Sequence, residues 1–152
     1  CEQHRPPEGE RRGGRAPPAA VGLPVLTAEI DGQVAGYAYA GPYRLRAAYR
    51  FLVEDSIYVA EAFRGRGVGK ALLDALLNAC EAMGMRQVVA VIGDSANAGS
   101  IALHAAAGFE HVGLFHAAGW KFDAWRDVVF MQKALGPGAT ASPDAPGLDC
   151  GR

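Results

Sequence analysis

The chain has 152 residues, half of them hydrophobic, and a formal net charge of −1. That length allows one domain with a core of its own, the near-zero charge argues against a general nucleic-acid binder, and no apolar run approaches the ~20 residues of a membrane span. Cys1, Cys80 and Cys150 have no metal-ligand spacing, and nothing supplies three closely spaced His, Cys or acidic ligands, so no metal is expected. With no signal-peptide pattern, the plain reading is a reduced, cytoplasmic protein.

In chain order, residues 1–20 are rich in Arg, Pro, Gly and Glu, a composition that cannot bury a core and is expected to be disordered. The chain opens on Cys1 rather than Met, which suggests a fragment. Residues 136–152, with Pro137, Pro143 and Pro146, read as a second disordered tail, which leaves 21–135 as the folded domain. A strand is expected over 24–30, a two-residue turn at Asp31-Gly32, and a returning strand over 34–40 that Gly41-Pro42 breaks. The polar segment 43–49 carries Arg44, Arg46 and Tyr49. The two arginines alternate, so in extended chain they share a face; they suit bidentate capture of an oxyanion and equally an ordinary basic loop. Residues 51–59 form the next strand.

Arg64-Gly65-Arg66-Gly67-Val68-Gly69-Lys70 follows that strand and opens a helix over 71–83, with apolar residues at 72, 73, 76, 77, 80 and 83 and a stop at Gly84. Glycines at 65, 67 and 69 let several amides converge at the positive end of a helix, and Arg64, Arg66 and Lys70 add charge, so the stretch describes a cradle for phosphate or pyrophosphate. A nucleotide P-loop needs Gly at 64 and Ser or Thr at 71, where Arg64 and Ala71 stand. A dinucleotide fingerprint needs two residues between its last two glycines, and only Val68 lies there. Residues 87–92 read as a strand buried on both faces. A loop through Asn97, a short helix over 100–107 and strands at 109–114 and 128–133 complete the chain. The connection at 119–126 is aromatic, and Trp120, Phe122 and Trp125 suit the lining of a substrate pocket or a dimer interface, with core packing as the default. The order β-β-β-α-β-α-β-β is a mixed α/β (α+β) domain.

Arg64, Gly67 and Gly69 fill the fixed positions of the Arg/Gln-x-x-Gly-x-Gly/Ala loop of the GNAT N-acetyltransferases, which the chain resembles. Asn97, followed by a short helix carrying His104 and ending at Gly108-Phe109, is similar to that family's second signature. The strings Ala38-Tyr39-Ala40-Gly41-Pro42-Tyr43, Val53-Glu54-Asp55-Ser56-Ile57-Tyr58-Val59, Val89-Ala90-Val91-Ile92-Gly93 and Ala118-Gly119-Trp120-Lys121-Phe122 resemble the phosphinothricin/methionine sulfoximine subfamily. The resemblance implies a mostly antiparallel sheet flanked by helices, acetyl-coenzyme A as acetyl donor, a small amino-acid-like amine as acceptor, and a homodimer. It assigns Ile57, Tyr58 and Val59 to pairing with the pantetheine arm. Gly65, Arg66, Gly67, Val68, Gly69 and Lys70, with Arg64, hold the pyrophosphate, and Asn97 bonds the cofactor further along. Glu54 corresponds to the general base, His104 to its partner on the far side, and Arg44, Arg46 and Tyr49 to the substrate segment.

Glu54 and Asp55 are adjacent on a strand, so they point to opposite faces and one of them faces the pocket. A strand-end carboxylate suits removal of a proton from a substrate ammonium, and the plain alternative is a solvated charge. His104, among small apolar neighbours, fits a core residue or a proton donor. One departure stands out: members of the family begin with a strand and two helices before the strand at 25–30, and residues 1–20 cannot replace them. The expected activity is direct acetyl transfer without a covalent acetyl-enzyme. The alternatives are a truncated, inactive coenzyme A-binding domain, and an enzyme acting on protein or peptide amines.

Overall fold

A computed structural model describes residues 22–94 and 97–150; the expected disorder of residues 1–20 falls outside them. The elements are β1 (Val25–Ile30), β2 (Gln33–Pro42), β3 (Leu52–Val59), α1 (Val68–Ala82), β4 (Gln87–Ile92), α2 (Ala98–Ala106), β5 (Glu110–Lys121) and β6 (Ala124–Ala134). The strands form one sheet in the order β1-β2-β3-β4-β6-β5, antiparallel throughout except for β3 against β4. The expected mixed, mostly antiparallel sheet is therefore observed. Asp31 and Gly32 take φ of 51° and 75°, the left-handed pair that a tight hairpin turn requires.

Strand alternation places Ala38, Ala40, Val53, Val88, Ala90 and Met131 on one face, where α1 covers them with Leu72, Leu73, Leu76, Leu77 and Cys80. Leu73 and Leu76 have no exposed surface, and full burial of such a side chain stabilises by about 1.5–3 kcal/mol. Met83, the last position of the apolar stripe, falls at the C-cap and is exposed. Burial, and secondarily the charge of Asp55, push the Cys80 thiol up to about 12, so it is an inert core residue. A Cβ on Gly36 would lie 2.5 Å from the Tyr58 carbonyl oxygen, so glycine there lets β2 close on β3. The opposite face of the sheet is open: Val25, Tyr37 and Tyr58 are exposed, and the two tyrosine rings stack at 4.8 Å.

Two expectations are corrected. Residues 119–126 are not a loop but the ends of two paired strands, joined by a turn at Phe122 and Asp123. Both turn residues have φ near 50°, a conformation normally supplied by Gly or Asn, so no turn signal was present in the sequence. Trp120, Phe122 and Trp125 are 60%, 81% and 64% exposed, not core. The chain after Leu135 is not a free tail either. Leu148 is buried in the main core and Arg86 binds the carbonyls of three residues between 138 and 142. Its Pro/Gly content suits an irregular strap that carries backbone hydrogen bonds without being a helix or strand.

Candidate active site

β3 and β4 pair only from Leu52↔Gln87 to Asp55↔Ala90. Beyond Asp55, β3 continues along β2 to Val59, while β4 follows β6. The two strands therefore splay, and from Ser56 to Val59 β3 pairs with β2 and not with β4. The edge of a strand at such a splay is one along which an extended, amide-bearing ligand can add in strand fashion. The splay opens a cleft of about 870 Å³, within the usual range for a cofactor site.

Ile57, Tyr58 and Val59 line its β3 wall, and Arg64, Gly65, Gly67, Val68, Gly69 and Lys70 line its mouth. Gly65 and Gly67 have φ of 73° and 80°, and a Cβ on either would meet nothing within 4 Å, so their backbone is strained for other residues and faces open space. Gly67 caps α1 without any side-chain hydrogen bond, which leaves the N–H groups of Val68, Gly69 and Lys70 with no acceptor inside the helix. Those donors at the positive helix end fit a pyrophosphate. Gly69 has a further duty, because its Cβ would press Leu103 at 3.3 Å and Val59 at 3.5 Å. Arg66 is the exception to the expected set: it is not among the lining residues, and its guanidinium lies over the Phe63 ring. Lys70 shares its charge with Asp74. Asn97 lines the cleft and caps α2, its Oδ1 accepting from Ser100 N at 3.2 Å; donation to a ligand falls to its Nδ2.

At the apex of the splay stand Glu54, Asp55 and His104, all buried. The resemblance makes His104 the partner of Glu54 on the far side of the site; in the structure its ring bonds Asp55, whose Oδ2 lies 2.7 Å from Nε2. Asp55 falls on the helix-covered face with Val53, and Glu54 on the other, so α2 reaches only Asp55. His104 Nδ1 donates to the Ser100 carbonyl at 2.7 Å, since a carbonyl only accepts. Burial lowers the pKa of His104, but the hydrogen bond and charge of Asp55, with the Ser100 bond, outweigh it and the net shift is upward. The Ser100 carbonyl and the Asp55 carboxylate both accept, so the charged ring is the form that donates to each, from Nδ1 and from Nε2. Asp55 Oδ1 is buried with no hydrogen-bond partner among the described residues, which makes it an acceptor available to a ligand donor or water.

The raised pKa fixes a pH dependence. The stability that the pair contributes is fully present below the ordinary histidine value of about 6.5 and is lost as pH rises through the raised value. We expect the urea midpoint of Asp55→Asn to fall furthest below that of the parent near pH 6, and the gap to shrink as pH rises. A gap independent of pH would show that the pair is not charged.

Arg44, Arg46 and Tyr49 do not line the cleft. They lie on the connector between β2 and β3, beyond the Gly41↔Glu54 pair, where Arg44 sits over the Tyr43 ring and Tyr43 meets Tyr49 edge-on. The connector thus flanks the Glu54 end of β3, away from the glycine cradle. Asp94 and Arg126, paired at 3.3 Å, and Lys121 also line the cleft and were not anticipated there, whereas Phe122 takes the pocket-lining place that was the alternative to core packing. Only the β5–β6 hairpin brings the last three there, and that hairpin had no glycine to announce it. His111 and His116 are exposed, and no cluster able to hold a metal occurs among the described residues.

Comparison with known proteins matches this geometry. The family model described as "Acetyltransferase (GNAT) family" covers residues 3–109. Phosphinothricin N-acetyltransferase of Alcaligenes faecalis is 46% identical over 143 residues, 94% of this chain and 73% of that protein. An L-methionine sulfoximine/L-methionine sulfone acetyltransferase of Pseudomonas paraeruginosa is 43% identical over 124 residues, 81% of this chain and 72% of that protein. The crystal structure of a phosphinothricin acetyltransferase from Sinorhizobium meliloti in complex with acetyl-coenzyme A superposes with a TM-score of 0.80 at 51% identity, covering 83% of this chain and 68% of that one. The strand splay, the glycine cradle and these likenesses agree: the chain belongs to the acetyltransferase (GNAT) family.

Proposed function

We propose that the cleft presents acetyl-coenzyme A to the α-amine of a small amino-acid-like substrate of the phosphinothricin or methionine sulfoximine type. As a family member the chain is an N-acetyltransferase. The observation that carries the reading is the splay itself, a length of β3 parted from β4 that leads from the glycine cradle to three buried ionisable groups. The cosubstrate supplies an acetyl thioester. Gly65 to Lys70 hold its pyrophosphate, with charge from Arg64, and Ile57 to Val59 pair with its arm. Glu54, on the face away from the helices, takes a proton from the substrate ammonium so that the free amine attacks directly. His104 holds a proton at Nε2, in its hydrogen bond to the Asp55 carboxylate, and that proton would pass to the leaving sulfur once the bond to Asp55 is given up. Arg44, Arg46 and Tyr49 receive the anionic part of the amine, because a guanidinium binds carboxylate or phosphinate oxygens bidentately.

Free Cys80 and Cys150 support a cytoplasmic setting, and no helix among the described residues is long and apolar enough to cross a membrane. β5 is exposed over nearly its whole length, with Val112, Leu114, Phe115 and Trp120 at the surface. A long apolar edge strand invites pairing, and we assign that edge to a second copy of the chain. The open face at Val25, Tyr37 and Tyr58 favours one other reading, a domain that binds coenzyme A without turnover. Thiol release from acetyl-coenzyme A, measured with phosphinothricin, methionine sulfoximine and a peptide with a free N-terminal alanine, separates the possibilities. The account expects turnover with the two small amines. Preference for the peptide contradicts the substrate class, and binding without release contradicts the enzyme.

A further inference from the structure

The strap after β6 carries more order than its composition suggests. Arg86, nearly buried, donates from Nη1 to the carbonyls of Gly138 and Ala141 at 3.0 and 3.1 Å, and from Nη2 to Ser142 at 2.9 Å. A buried guanidinium with three carbonyl acceptors is satisfied, and removing it leaves all three carbonyls short of a donor. Further on, Leu148 N donates to Arg50 O at 2.8 Å and its side chain enters the core. Gly147 makes the closest approach: with φ of 77°, a Cβ there would stand 2.7 Å from Arg50 Cγ, 2.9 Å from Arg50 O and 2.9 Å from the Phe51 ring. From the other side, the backbone N–H groups of Arg86 and Gln87 both donate to Phe51 O.

Arg50 and Phe51 are thus held between the strap and the start of β4. They form the stem of the 43–51 connector and lead directly into Leu52, where the four-residue parallel pairing of β3 with β4 begins. That pairing ends at Asp55, at the apex of the cleft. We propose that the strap, latched by Arg86 and seated by Gly147, positions the connector and the Glu54 end of β3 for the amine substrate, so that Arg86 and Gly147 are positioning residues for acceptor binding. The proposal rests on the function given above for the connector. The glycine cradle lies at the other end of β3, beyond Val59, and is not touched by the strap.

The test uses the full chain with Arg86→Gln, and Gly147→Val as a second variant that leaves Arg86 intact. Hydrogen exchange of the 43–51 amides, the KM of the amine and the Kd of acetyl-coenzyme A are measured for each. Both variants are expected to speed exchange over 43–51 and to raise the amine KM about 10-fold, with acetyl-coenzyme A affinity held within about twofold. Arg86→Lys, which keeps the charge but not the fork, is expected to recover only part of the loss. An unchanged amine KM with faster exchange in the strap alone overturns the proposal, as does a parallel loss of acetyl-coenzyme A affinity. If the parent chain turns over no amine, the functional reading fails, and exchange over 43–51 still decides the strap: unchanged rates overturn its positioning role and faster rates support it.

Discussion

Glu54→Gln is expected to lower turnover by about 10²–10⁴ while leaving the affinity for acetyl-coenzyme A nearly unchanged. The substitution keeps the size and shape of the side chain and removes its negative charge and its ability to take a proton. Glu54 is 5% exposed and lies on the opposite face of β3 from the Asp55–His104 pair, so the change spares the buried ion pair. The cradle is five strand positions and a turn away, at Gly65 and beyond, so cofactor binding does not sense it. Loss should be largest where the substrate amine is protonated, because there the proton must be removed on the enzyme. Steady-state thiol release across pH measures it, and turnover within twofold of the parent would remove Glu54 from the mechanism.

Gly67→Val should abolish detectable acetyl-coenzyme A binding in a titration. Gly67 sits at φ 80° as the N-cap of α1, and a β-branched residue pays at least the roughly 1–2 kcal/mol that a left-handed conformation costs an ordinary side chain. The space around its missing Cβ is open, and that space is where the pyrophosphate must approach the amides of Val68, Gly69 and Lys70. The substitution therefore acts twice, on the cap and on the approach. A urea midpoint close to that of the parent, alongside lost binding, would isolate the second effect. Retained binding would mean that the phosphates are held elsewhere.

How much of this was legible in the chain follows from where each signal resides. The cradle could be read because its glycines are adjacent in sequence and their conformation is a property of the residue itself. The Asp31-Gly32 turn and the apolar stripe of α1 were readable for the same reason. What escaped depends on contacts between distant segments. His104 chooses Asp55 over Glu54 because β3 turns alternate side chains to opposite faces, and the sequence cannot say which face α2 will cover. The tail from 136 onward looked unable to order itself, and by itself it has little to bury. It is ordered by Arg86, which lies 52 residues before Gly138. The Phe122-Asp123 turn went unseen because it holds no glycine and Phe122 rarely adopts positive φ, so the strands around it, and the exposure of Trp120 and Trp125, were missed together. Arg44, Arg46 and Tyr49 remain tied to substrate by resemblance and by their place next to the Glu54 end of β3, not by the cleft lining.

The most direct test of the central claim is a calorimetric titration of the chain with acetyl-coenzyme A, monitored in parallel by backbone amide shifts of Ser56 to Val59 and of Val68 to Lys70. The account predicts saturable binding at one site per chain, with both groups of amides moving together as the ligand fills the splay and the cradle. Absence of binding, or binding that leaves Ser56 to Val59 unmoved, would contradict it.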